Sequence, residues 1–120
     1  MSAGYALAKY GMTLISHGLS GELKDDGIAC NTLWPRSYIA TAAVNNILGG
    51  EESMAGSRTP EIMADSAHII LTAEAKLTTA NFFMEDEVLI SSGMTIDDLI
   101  AKYACTKNAK LSALKPDGFC

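Results

Sequence analysis

The sequence is short of cysteine, histidine and long apolar runs, and each shortage closes off a class of protein. Its three cysteines, Cys30, Cys105 and Cys120, stand far apart. An odd number without close spacing makes no disulfide framework and points to a reducing compartment. The same spacing supplies no cysteine-rich zinc site, and His17 and His68 have no partner at metal-ligand spacing. They read as ordinary structural or surface residues, and no metal is expected. No apolar stretch approaches the ~18 residues of a membrane span. The Met1–Gly4 segment has neither the basic nor the apolar region of a secretory signal. Asp117-Gly118-Phe119-Cys120 matches no peroxisomal or lipidation signal. The expectation is an intracellular chain, cytoplasmic in the first place, with mitochondrial or peroxisomal placement left open. Lysine and arginine number 9 against 14 acidic residues, a formal charge of −5. Without clustered cations, non-specific binding to a phosphate backbone is not expected.

What is present suits one compact domain. The 120 residues are 48% hydrophobic, the share of an ordinary packed core. Ala8, Met12, Ile15, Leu19 and Leu23 recur at spacings of three and four, which predicts an amphipathic helix over about residues 5–24. Leu7 and Leu14 lie outside that stripe and suggest burial on more than one side. Asp26-Gly27 supplies the stop. Residues 28–34 are short, mostly apolar and end at Pro35, as in a buried parallel strand. Tyr38–Leu48 reads as a short helix closed by Gly49-Gly50, followed by an exposed loop rich in Glu, Ser and Gly. Thr59-Pro60-Glu61 opens another helix, with Thr59 as N-cap and Pro60 in first position, ending near Ala75. Residues 81–84 read as a second strand leading into an acidic turn. Thr95 and Asp98 form a capping box for a last helix to about Tyr103, and residues 104–120 read as an irregular tail.

Buried strands alternating with amphipathic helices imply an α/β layer with a parallel sheet. Two strands alone leave long unpaired edges. The sequence therefore reads as part of a larger sheet, and no internal repeat supplies the rest.

The chemistry-bearing residues come first in the chain. Tyr5 and Lys9 are four residues apart on one helix and share a face. A phenol ordinarily titrates near ~10, and an adjacent ammonium favours its anion. Such a phenol can pass a proton to or from a substrate oxygen during carbonyl reduction or alcohol oxidation. The pair alone is a weak signal, since this spacing arises by chance on many helices.

The run Tyr5-Ala-Leu-Ala-Lys9-Tyr10-Gly11-Met12 resembles the active-site helix of the short-chain dehydrogenases/reductases. Gly27-Ile28-Ala29-Cys30-Asn31-Thr32-Leu33-Trp34-Pro35-Arg36 is similar to the next strand and cofactor loop of that family. Arg58–Asp65 and Asn81–Leu89 resemble one branch, the hydroxysteroid dehydrogenase-like 2 group and its bacterial relatives. The resemblance implies the C-terminal part of a Rossmann-like three-layer αβα fold with parallel strands. The whole of residues 1–120 would be a partial domain running from the active-site helix onward.

It also implies roles. Tyr5 would be the general acid/base, and Lys9 would favour its phenolate and hydrogen-bond the nicotinamide ribose of NAD or NADP. Pro35 would shape the loop beside the nicotinamide ring. Ile39 would offer backbone contacts to the carboxamide, and Thr41 a hydroxyl near the carboxamide or phosphates, although Thr41 reads equally well as a solvated helix residue. Asn31 would be structural. The substrate would be a small alcohol or carbonyl compound. The sequence departs from the family pattern at Arg36, where most members have glycine, and at Ala80, where the branch usually has glycine.

The glycine-rich turn that lets a backbone approach a pyrophosphate is missing. Gly49-Gly50 and Gly56 follow a helix and do not make it, and the family's upstream catalytic serine is missing too. The expectation is an incomplete oxidoreductase that binds cofactor weakly and does not turn over alone. The alternative is a non-catalytic interaction or dimerisation module, with the residue 5–24 helix as the homo-oligomer contact.

Overall fold

The computed structural model describes residues 2–107 and 109–117. The first helix, α1, spans Ala3–Glu22, and its capping Ser2 hydroxyl accepts the Tyr5 N–H at 3.2 Å. It starts and ends about two residues earlier than the periodicity predicts. Gly4, Gly11, Gly18 and Gly21 lie within it, and each weakens a helix by ~1 kcal/mol relative to alanine. Packing rather than propensity must therefore hold α1.

The strand β1 is Thr32–Trp34 and pairs in parallel with β2, Phe82–Met84, in the register Thr32↔Phe82 to Trp34↔Met84. Only the last three residues of the predicted 28–34 strand enter the ladder. Further back, the Ala80 N–H donates to Cys30 O at 2.9 Å, and side chains do the rest of the joining. Asn31 Nδ2 donates to Thr78 O at 2.8 Å, and Asn31 Oδ1 accepts the Asn81 N–H at 3.0 Å. Asn31 is thus a structural tie. The turn ahead of β2 passes through Ala80, at φ 61 the one non-glycine in the left-handed region among the described residues.

Several predicted elements are corrected. The helix expected over Tyr38–Leu48 is only α2, Ala42–Asn46, because residues 36–40 run extended between two neighbouring segments. The expected exposed loop contains α3, Gly50–Ala55, and Ser53, Ser57 and Arg58 are buried. The next helix, α4, is Glu61–Thr72. Its N-cap is Pro60 with no capping side chain, not Thr59, and it stops short of Ala75. The acidic "turn" is the first turn of α5, Glu85–Ser91. Carboxylates there suit the positive end of a helix. The capping-box prediction matches: α6 is Ile96–Tyr103 with reciprocal bonds between Thr95 and Asp98. The tail carries one 3-10 turn, Leu111–Ala113, and is pinned by its backbone to the middle of the chain.

The core forms where α4, α5 and α6 meet. Ile62, Leu89, Leu99 and Tyr103 are buried together, with Ile39, Met63, Ile69 and Met94 against them. Burial at ~25 cal/mol per Å2 of apolar surface makes this cluster the main source of cohesion. The expected apolar stripe of α1 does not join it. Met12, Ile15 and Leu19 are 54%, 65% and 39% exposed. The face of α1 that meets the sheet carries Tyr10, Thr13 and His17 instead. Tyr10 stacks near Trp34 with centroids 5.7 Å apart, Trp34 Nε1 donates to Thr13 Oγ1 at 3.1 Å, and His17 meets Phe82 edge-on at 5.6 Å. An amphipathic pattern tells which face is apolar, not whether the surface that covers it lies in the same stretch of sequence.

Candidate active site

The contacts of α1 set its direction relative to the sheet. His17 lies by the first residue of β2, whereas Tyr10 and Thr13 lie by Trp34, the last residue of β1. The helix therefore runs antiparallel to the strands. At ~1.5 Å per residue its first two turns extend past the carboxyl ends of the strands. Open parallel sheets bind ligands outside those carboxyl ends. Tyr5 and Lys9 sit on these turns. Lys9 Nζ is 5.7 Å from the Tyr5 ring centroid, so the two side chains stay together, and the Tyr5 ring is about half exposed at 48%.

The chain leaves β1 at Pro35 and enters an extended segment held from both sides. Arg58 N–H donates to Tyr38 O, and Ala40 N–H donates to Arg58 O, both at 2.8 Å, the pattern of a parallel bridge between Ile39 and Arg58. On the other side, Tyr38 N–H donates to Lys115 O and Asp117 N–H to Arg36 O, each at 2.9 Å. In a parallel bridge of this kind the central residue turns its own N–H and C=O the opposite way. Neither the N–H nor the C=O of Ile39 has a partner among the described residues, while its side chain packs on the core. Ile39 thus leaves one backbone donor and one backbone acceptor unused among the described residues, the two kinds of group that a primary carboxamide can bond. The Ser37 hydroxyl in the same segment is buried and unpartnered among the described residues. Thr41 caps α2, with its hydroxyl 3.5 Å from Val44 N, and is exposed.

The anchors of this segment were not singled out from the sequence. Glu85, wholly buried at the start of α5, accepts the Arg36 N–H on Oε2 at 2.8 Å and the Arg58 guanidinium on Oε1 at 2.8 Å. Burial pushes its carboxyl above the ordinary range, against the hydrogen bond from Arg36. Arg36 Nε bonds Asp86 at 2.6 Å, and its NH2 group bonds Glu87 at 2.6 Å. The hydrogen bond to Asp86 raises the Arg36 guanidinium above its ordinary value. Two arginines and three acids thus close the space between the loop and α5. The available signal was the acidic run directly after an apolar strand, matched by Arg36 and Arg58. Buried arginines and carboxylates are almost always paired.

Beyond the sheet, an open groove of about 490 Å3 runs between α1 and α4, lined by residues including Met12, Ile15, Leu19, Leu33, Ile70 and Leu71. No lining residue comes from β2, so the groove follows the other edge of β1. No helix among the described residues is long and apolar enough to cross a membrane.

The chain is similar in sequence and backbone to known proteins. No protein-family model matches the chain. Hydroxysteroid dehydrogenase-like protein 2 of Xenopus tropicalis is 43% identical over 97 residues, 81% of this chain but 22% of its own length. The Homo sapiens protein of that name is 37% identical over the same span. Among solved structures, a putative dehydrogenase from Xanthomonas campestris superposes with a TM-score of 0.83 at 44% identity, covering 98% of this chain and 40% of its own. A short chain dehydrogenase from Mycobacterium thermoresistibile gives 0.80 at 46% identity, covering 96% and 39%. The chain thus spans about a fifth of the curated relatives and two fifths of the solved ones. With its parallel strands, by sequence and by backbone, it corresponds to the C-terminal portion of a short-chain dehydrogenase/reductase domain, on the side of the hydroxysteroid dehydrogenase-like 2 group.

Proposed function

We propose that these residues form the proton-handling, nicotinamide-holding part of an NAD(P)-dependent oxidoreductase acting on alcohols and carbonyl compounds. The observation that carries the reading is the N–H and C=O of Ile39, unpartnered among the described residues, on the loop that leaves the same sheet end past which the Tyr5 and Lys9 helix extends. A bound nicotinamide supplies or accepts the hydride. The Tyr5 hydroxyl gives a proton to the substrate oxygen in carbonyl reduction and takes it back in alcohol oxidation. Lys9 holds the ribose. Pro35 shapes the loop, and Ile39 fixes the carboxamide. Thr41, already a helix cap, is the weakest member of the set. The pyrophosphate end of a dinucleotide has no glycine-rich partner in these residues, so affinity is low and turnover by residues 1–120 is not expected.

The test is titration with nicotinamide mononucleotide followed by amide NMR. The Ile39 amide should move at millimolar ligand, and Tyr5→Phe should leave binding intact. If no resonance of residues 35–41 responds, the reading is wrong. Cofactor-dependent alcohol oxidation by residues 1–120, abolished in Tyr5→Phe, would instead refute the expected inactivity.

A second reading, association through α1, is favoured by one observation. Leu7 and Leu14 are 77% and 70% exposed, and a Cβ built at Gly4, Gly11, Gly18 or Gly21 meets nothing within 4 Å. In an antiparallel pair of these helices, Leu7 would face Gly18 and Leu14 would face Gly11, knobs against holes. Sedimentation of Leu14→Glu against the unmodified chain decides it. A mass unchanged by the substitution, or monomeric in both, removes the module.

A further inference from the structure

Glu85 has no part in the chemistry proposed above, yet its one carboxylate reaches both Arg36 and Arg58 beside the extended loop. Oε2 takes the Arg36 N–H at the loop entrance. Oε1 takes the guanidinium of Arg58, whose backbone brackets Ile39. The Ser66 hydroxyl donates to the Glu85 carbonyl at 2.9 Å, tying the same residue to α4. We propose that Glu85, through Arg36 and Arg58, is the positioning residue that presents the Ile39 N–H and C=O to a primary carboxamide. The role rests on the nicotinamide reading above.

The physical ground is preorganisation. A donor–acceptor pair on a loose backbone must lose its freedom when ligand binds, whereas a held pair has lost it already. The backbone of residues 36–40 is held by isolated bridges to Arg58 and to the tail rather than by a full ladder, and the Glu85 carboxylate adds a side-chain hold at the Arg36 N–H and on Arg58. A buried carboxylate bonded to a backbone N–H and a guanidinium makes two charge-assisted contacts, the strong kind. Neither atom of Glu85 touches the proposed ligand, and its effect is carried through the loop.

Three measurements on residues 1–120 test the role, with nicotinamide mononucleotide as probe and the Ile39 amide as reporter. In the unmodified chain, ligand at ten times its Kd should slow hydrogen exchange at the Arg36 amide about tenfold, because binding holds the loop closed. Glu85→Gln keeps an acceptor for the Arg36 N–H and should bind within about threefold of the unmodified chain, since each tenfold is ~1.4 kcal/mol. Arg58→Met combined with Glu85→Met replaces the buried pair by apolar side chains that keep the fold. It removes the acceptor and should weaken binding about tenfold. Unchanged Arg36 exchange with the Ile39 amide shifted, or equal affinity in the folded double variant, overturns the positioning role and leaves the nicotinamide reading standing. Absence of any Ile39 response in the unmodified chain overturns that reading and the role together. Should the double variant not fold, the Arg36 exchange decides.

Discussion

Replacing Ala80 by glycine should stabilise the protein. Ala80 sits at φ 61, where an L-residue with a Cβ crowds its own carbonyl. That conformation costs ~1–2 kcal/mol. Its side chain is exposed, so deleting the methyl group forfeits no packing. Its N–H bond to Cys30 O at 2.9 Å does not depend on the side chain. Glycine lowers the strain but widens the unfolded ensemble, an opposing loss of ~0.5–1 kcal/mol. The balance is a gain of about 0.5–1 kcal/mol. For a domain of this size that raises Tm by about 2–4 °C. Urea unfolding followed by circular dichroism reads the change as a shift of midpoint at constant slope. Ala101→Gly, on the exposed face of α6, serves as the opposite control and should lose ~1 kcal/mol. If Ala80→Gly is neutral or destabilising while the control behaves, the strain assigned to this turn is absent.

Other perturbations have equally definite signs. Glu85→Ala leaves the buried Arg58 guanidinium with only the Asp86 carboxylate, 3.9 Å away, and should cost about 3 kcal/mol in urea unfolding, whereas replacing both partners by methionine should cost far less. Tyr103 donates its hydroxyl to Asp65 at 2.6 Å, and that bond, followed by the one from Lys102, holds the Asp65 carboxyl below its ordinary value. The stabilisation is present above the ordinary aspartate value of 3.8 and fades as pH falls through the depressed one. Tyr103→Phe should therefore lose about 1 kcal/mol at neutral pH, after discount for the half-exposed carboxylate. The loss should shrink at the acid end of a pH-dependent unfolding series, and a constant deficit across pH would contradict it. Gly49→Ala forces φ 123 on a residue whose Cβ would stand 2.5 Å from Ser53 Oγ. It should lower stability by about 2 kcal/mol, and an unchanged Tm would show that α3 moves freely.

Some of this was open to a reader of the sequence, and the reasons differ by element. The Thr95/Asp98 box and the apolar run before Glu85 carry local signals, and both match the structure closely. The Tyr5/Lys9 spacing was equally plain because a helix fixes which residues are neighbours. Glu85, Asp86 and Arg58 were obscured because charge pattern alone reports no depth. A carboxylate that looks solvated is buried once an arginine from a distant segment meets it. The α1 stripe failed for the complementary reason. Its apolar residues are real, but the surface able to cover them is not among their neighbours here. Thr59 was expected to cap α4, but Pro60 holds that position and no side chain caps it.

The loop from Pro35 to Thr41 shows where a backbone shape is stored. Arg36 is gripped by residues 85 and 117, Tyr38 by residues 58 and 115, and Ile39 by a core assembled from three helices. Grafting those seven residues into a foreign scaffold would carry over their spelling without their conformation. A designer wishing to borrow this loop must transplant its distant moorings as well.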